Sequence, residues 1–191
     1  MVIRVLRPAV LLLIVMTVLL GFVYPLAITG VAKVAFPRQA EGSLIRQNGK
    51  LIGSTLIGQN FSDPKYFWGR PSATTPQPYN ALSSSGSNLG PLNPALLDAV
   101  KANAKALHDA DPANARPIPV DLVTASASGL DPDISAAGAR YQAARVAAAR
   151  GIAPAKVEAL ITAQERGRLF GLIGEPRVNV LELNLALDSL R

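Results

Sequence analysis

The sequence has no cysteine, one histidine (His108), one tryptophan (Trp68) and no dense block of like charges. Without cysteine there are no disulfides, no thiolate nucleophile and no cysteine-ligated metal site. A lone histidine leaves one imidazole to serve as a base for any serine. Ser126 and Ser128 stand in no G-x-S-x-G context, so serine hydrolysis lacks its constellation. His108 near a predicted helix end reads as a surface residue favoured by the helix dipole. The phosphate-cradling patterns G-x-x-x-x-G-K-[ST] and G-x-G-x-x-G are missing. Asp131 and Asp133 alternate with Pro132 and Ile134 but lack the further oxygen ligands and closing glutamate of a calcium loop. The net charge of +6 is carried by scattered lysines and arginines, which does not suit a row of phosphates, so nucleic acid is not an expected partner. No catalytic, cofactor-binding or metal-ligating residue is assigned.

What is present is a long apolar run. Residues 8–29, PAVLLLIVMTVLLGFVYPLAIT, carry no charge, and roughly twenty such residues are what a helix needs to cross a bilayer. The run exceeds a signal-peptide core, and no clean A-x-A site follows it closely, so a retained anchor is expected. The predicted organisation is a cytoplasmic tip at 1–7, a transmembrane helix at 8–30 and an extracytoplasmic domain at 31–191. Arg4 and Arg7 flank one end, and Lys33 and Arg38 lie beyond the other, which is a slight charge bias. The shorter flank is the more easily retained, which in a bacterium puts the amino terminus in the cytoplasm and the body outside the inner membrane. Tyr24 suits the interface, Pro25 loosens the last turn, and Thr17 and Gly21 place two small residues on one face that other membrane helices can approach.

The rest of the chain suits one soluble domain with its own core. Strands are predicted at 43–47 and 50–58 around Asn48-Gly49, the pair that favours a tight type I′ turn. Gly53 and Gly58 would weaken the second strand, so a bulge or close backbone approach is expected at one of them. Phe61, Tyr66, Phe67 and Trp68 gather most of the aromatic area in a short stretch. Two readings stand: a core plug beneath an irregular loop, or a docking surface formed by Tyr66, Phe67, Trp68 and Arg70. Residues 71–92, rich in Pro, Ser and Gly, read as a long loop that either tethers a partner or is disordered in isolation.

Asn93-Pro94 opens a helix over 94–109, with Leu96, Leu97, Val100, Ala104 and Leu107 at helical spacing. A second helix is predicted from Asp131-Pro132 to Gly151, with Asp131 as its cap. A third runs from Pro154 to near Gly167, and a short terminal helix is capped by Asn179 with Glu182 three residues on. Asp121, Thr124, Ser126 and Ser128 concentrate polar groups between ordered regions. They read either as local turn-makers or as partner contacts. The fold class is α+β: one N-terminal membrane helix followed by a mainly helical domain with a small antiparallel β element.

The succession YPLAITG (24–30), FPRQAEGSLI (36–45), STLIGQNFSDPKYFWGRPS (54–72), SNLGPLNPALL (87–97), PVDLVTASASGLDPDIS (119–135), RVAAARG (145–151) and VNVLELNLALD (178–188) closely resembles the KdpC family. Members are small single-span components of the bacterial potassium-transporting P-type ATPase. The resemblance implies a complex with a channel-like potassium-binding subunit, an ATP-hydrolysing P-type subunit and a small stabilising peptide. It implies that ATP, magnesium and potassium are used by the complex and not held by this chain. The DKTGT motif of the hydrolytic subunit is missing here. The expected role is a non-catalytic accessory subunit supporting assembly and turnover; the alternative is a membrane-anchored periplasmic scaffold or binding protein unrelated to potassium.

Overall fold

The computed structural model describes residues 2–190. The chain divides into two compact units, one up to Ile52 and one from Gly53 onward.

In the first unit, α1 (Val2–Val18), a π-helical turn (Leu19–Val23) and α2 (Tyr24–Ala35) form one helical stretch. Helical backbone therefore extends past both ends of the expected 8–30 span. The stretch Arg4–Ala35 has a mean hydropathy of 2.6 and none of its most apolar window is buried. At 1.5 Å per residue it is about 48 Å long, enough to cross a hydrocarbon core of about 30 Å and its interfaces. The π turn has a local cause. Pro25 has no N–H to give and its ring crowds the preceding turn. The ladder widens just before it, so that Tyr24 N–H reaches back five residues to Leu19 O.

Phe36 leaves helical geometry, and a short turn of helix, α3 (Pro37–Ala40), leads to Gly42 at φ 83°. Strands β1 (Leu44–Gln47) and β2 (Lys50–Ser54) pair as a two-stranded sheet. Asn48 (φ 52°) and Gly49 (φ 76°) both take the positive φ that a type I′ turn requires. β2 stops at Ser54 and not at the expected 58. Ser54 Oγ accepts from Leu56 N at 3.1 Å, turning the chain, and Gly58 N pairs instead with Leu130 O at 2.9 Å.

The second unit is built around α5 (Ala136–Arg150), which is buried over most of its circumference. Ala139, Ala143 and Ala147 recur every fourth residue, and their small side chains let neighbours approach closely. Val157 and Ile161 of α6 (Pro154–Gln164) and Leu183 and Leu187 of α7 (Val180–Ser189) are fully buried in the same core, which Phe67, Leu107, Leu122 and Ile134 also enter. Helix α4 (Pro94–Ala110) contributes Leu107, with Val100 and Ala104 partly buried. Leu97 of its apolar set is 55% exposed. The predicted caps at Asn93, Asn179 and Gly151 are all in place: Asn93 accepts from Ala95 N, Asn179 accepts from Glu182 N, and Gly151 is left-handed at φ 64°.

Two boundaries differ from expectation for one reason. Residues 133–135 form β3 (Asp133–Ser135), antiparallel to β4 (Arg177–Asn179), with Ile134 opposite Val178. Asp131 therefore does not cap a helix; its Oδ1 accepts from Asp133 N at 3.0 Å and bends the chain into the strand. Ser135 is the cap, accepting from Gly138 N at 2.8 Å. The third helix stops at Gln164, short of the expected 167. Arg166 exchanges two backbone bonds with Arg177, at 2.8 and 3.0 Å, and extends this sheet.

Candidate functional site

Residues 59–93 contain neither helix nor strand, so the backbone of this segment must find its partners elsewhere. For Phe67 and Trp68 two buried side-chain amides supply them. Phe67 N–H donates to Asn184 Oδ1 at 2.9 Å while Asn184 Nδ2 donates to Phe67 O at 3.0 Å. Trp68 N–H donates to Gln142 Oε1 at 2.8 Å while Gln142 Nε2 donates to Trp68 O at 3.1 Å. Each side chain imitates a strand neighbour, so α5 and α7 grip the loop where helices could not otherwise pair with it.

The aromatic segment thus resolves into three environments. Phe67 is a core plug at 0% exposure and offers no surface. Half-buried Trp68 lies under Arg145, whose guanidinium carbon is 4.4 Å from the ring centroid, and its Nε1 donates to Asp63 O at 3.1 Å. Arg145 also donates to Gln142 Oε1 at 2.6 Å. Desolvation lowers this guanidinium to about 10, which leaves it cationic at neutral pH. Half-buried Tyr66 donates to Asp188 Oδ2 at 3.0 Å, and Arg150 both stacks on it at 4.9 Å and pairs with Asp188 at 2.6 Å.

Arg70 pairs with Asp131 at 3.1 Å and donates to Ala125 O at 3.4 Å, while its buried Nε has no partner among the described residues. Tyr79 folds back beneath it and donates to Arg70 O at 2.6 Å. That ring fits because Gly58 and Gly69 carry no side chain; a Cβ at Gly69 would stand 2.5 Å from the Tyr79 hydroxyl, and one at Gly58 would collide with the ring. Burial, with the Asp131 charge adding to it, pushes the phenol up to about 12. Gly53 is closely approached by Gln59 and Leu181, so close backbone approach occurs at both glycines of that stretch. Trp68, Arg70, Tyr79, Asn103 and Leu122 border a cleft of about 280 Å³.

Asp121, Thr124, Ser126 and Ser128 all take part in hydrogen bonds within the chain. Asp121 accepts from Ser135 N at 2.7 Å and from Ser135 Oγ at 3.1 Å, steadying the residue that caps α5. Thr124 Oγ1 donates to Val120 O at 2.8 Å. Ser126 is buried, and its N–H donates to Pro71 O at 3.4 Å. Ser128 is exposed; its Oγ accepts from Leu130 N, and its carbonyl accepts from Ser85 N at 3.0 Å. These bonds, with Ser72 Oγ to Gly129 O at 2.7 Å, fasten the 71–92 loop to the body. His108 is exposed on α4, and neither serine has it as a hydrogen-bonding partner. Among the described residues no group of three or more acidic or histidine side chains is arranged to hold a metal ion. On the helix of the first unit Thr17, Gly21, Tyr24 and Pro25 are all exposed. The structure brings Tyr66 to Arg70 into one hydrogen-bonded segment and ties Arg70 to Ala125 and Asp131. Gln142, Asn184, Arg145 and Tyr79, which organise this region, carry no motif, and only the aromatic cluster they serve was visible as a signal.

The family model described as "K+-transporting ATPase, c chain" matches residues 6–189. A curated protein of Dechloromonas aromatica named potassium-transporting ATPase KdpC subunit is 65% identical over 185 residues, covering 97% of each chain. Proteins of the same name from Variovorax paradoxus (65% identical; 97% of this chain, 96% of the relative) and Sorangium cellulosum (62%; 97% and 98%) match equally completely. A match of that extent, in which helix, hairpin and body are all included, makes this chain a member of the KdpC family of potassium-transporting ATPase subunits.

Proposed function

We propose that this chain is a non-catalytic accessory subunit of an ATP-driven potassium uptake complex, anchored once in the bacterial inner membrane with its amino terminus cytoplasmic and its body outside. The observation that carries the reading is the apolar helix Arg4–Ala35, none of whose most apolar window is buried and which in water has no reason to stay uncovered. A membrane and the helices of other subunits would cover it, with the Thr17–Gly21 face and the Tyr24-Pro25 turn as its contacts. The partners are a channel-like potassium-binding subunit, a P-type ATPase subunit and a small stabilising peptide. ATP, magnesium and potassium would be bound by those chains. The amide-clamped loop, the exposed edges of Tyr66 and Trp68, and the 121–128 turn are the body's proposed contacts.

An accessory chain alters turnover only if it binds two conformations of its partners unequally, and it then shifts their equilibrium by that difference. Its body need not meet ATP. The test is a detergent pull-down of tagged full-length chain from potassium-starved membranes, beside a chain lacking residues 1–35. Recovery of a channel-like subunit and a P-type ATPase with the full-length chain supports the reading. Recovery with neither chain removes it. Oriented vesicles supply the topology, since protease on the cytoplasmic side must leave the body intact.

A further inference from the structure

Between Arg166 and Arg177 the chain makes a narrow excursion whose tip is Leu169-Phe170-Gly171-Leu172-Ile173. Leu169 N–H donates to Ile173 O at 2.8 Å and Ile173 N–H donates to Leu169 O at 3.0 Å, closing the tip into a tight turn. Its four large side chains are 58%, 85%, 80% and 63% exposed and fall within five consecutive positions, a contiguous apolar prong, whereas Leu56, Leu82, Leu92 and Val120 stand exposed singly along the chain. Phe170 sits at φ 53°, in the left-handed region that bulky side chains avoid at a cost of about 1 kcal/mol or more. No burial of Phe170 in this chain offsets that cost.

The charges at the root narrow the choice of what covers it. Arg168 pairs with Glu175 at 2.9 Å, Arg177 with Asp133 at 2.9 Å, and Arg166 with Glu182. Each arginine is already neutralised, so nothing at the root attracts anionic headgroups, and attachment to a lipid surface by such a small tip relies on that attraction. Four side chains present roughly a few hundred Å² of apolar surface, short of the ~1,200 Å² of interfaces that persist unaided. The prong therefore serves a partner held nearby by other contacts, where the second attachment is effectively intramolecular.

The geometry points to residues 169–173 as a plug that seats in an uncharged, apolar recess of another subunit of the same ATPase. This rests on the subunit reading above. The test uses the full-length chain co-expressed with the rest of the complex, with a photoreactive phenylalanine analogue at position 170, and with Phe170→Asn as the companion variant. Asparagine tolerates the left-handed backbone, so Phe170→Asn should keep or raise the melting temperature while weakening retention in the complex about tenfold, as loss of an interface anchor does. Illumination should give an adduct that mass spectrometry identifies as another ATPase chain. An intact complex whose adduct is lipid alone, or a second copy of this chain, or absent, overturns the plug. So does unchanged retention of Phe170→Asn. If the unsubstituted chain recovers no ATPase subunit at all, the subunit reading falls and takes the plug with it.

Discussion

Asn184 and Phe67 face each other as paired strand residues do, exchanging bonds of 2.9 and 3.0 Å across 117 positions of sequence, though neither lies in a strand. Replacing Asn184 with leucine keeps the branched shape, with bulkier methyl groups, and leaves a buried N–H and a buried C=O of Phe67 without partners. Each such group costs about 1–3 kcal/mol, so Asn184→Leu should lose about 2–6 kcal/mol. Urea unfolding of the full-length chain in detergent, read by the emission of the sole tryptophan, measures this directly.

Gln142 holds Trp68 in the same way and also accepts from Arg145. Arg145→Met should remove the guanidinium from the Trp68 face, at about 2 kcal/mol for a desolvated cation–π contact, and shift the emission to longer wavelength. Arg145→Lys should recover only part, because a lysine cannot stack its plane on the ring while donating to Gln142. Equal emission from all three chains would mean the stacking is incidental.

Tyr79 gives a pH prediction with a definite sign. Its folded pKa of about 12 lies above the ordinary 10.0, so the fold favours the protonated phenol. Its contribution is fully present below pH ~10 and is lost as pH rises towards ~12. Stability should fall across that window by on the order of 2 kcal/mol, from the size of the shift. Absorbance titration near 295 nm should show a late-ionising component that Tyr79→Phe removes, while Tyr141, also raised by desolvation, still ionises late in both chains. The phenylalanine variant also loses the bond to Arg70 O, about 1 kcal/mol.

The π turn before Pro25 makes the anchor testable by geometry. Pro25→Ala restores an N–H, so the widened turn can revert to α-helix and the residues on either side rotate relative to one another by about 100°. Cysteine cross-linking from successive helix positions to the partner helices should show a break in phase at Leu19–Val23 in the wild-type span and one continuous phase in the variant. A pattern identical in both would show that the turn does not depend on proline.

Much of this architecture was legible because local chemistry decided it. Asn48-Gly49, Asn93-Pro94, Gly151 and Asn179 each allow few backbone conformations, and all were read at their positions. The β3–β4 sheet was not legible. Three residues are too few for an alternation to register, and Ile134 and Val178 are separated in sequence by helices α5 and α6. Missing that sheet moved two helix ends, since Asp131 and Arg166 serve the strands and not the helices. The aromatic cluster was visible, but composition could not divide it: Phe67 and Trp68 are adjacent, yet one is core and the other half-exposed because successive residues of extended chain point opposite ways. The partner contacts proposed for Thr17, Gly21 and 121–128 would depend on other chains, of which this chain's sequence holds only one side.

The amide clamps have a consequence for where such a body can work. Asn184 and Gln142 fasten the long loop with four neutral bonds that no proton can remove near neutrality and no salt can screen. On the proposed outer face of the membrane the cell does not control ionic strength or acidity. The loop's attachment through these residues should be indifferent to both, while the peripheral pairs such as Lys65–Asp63 and Lys105–Asp109 come and go with the surroundings.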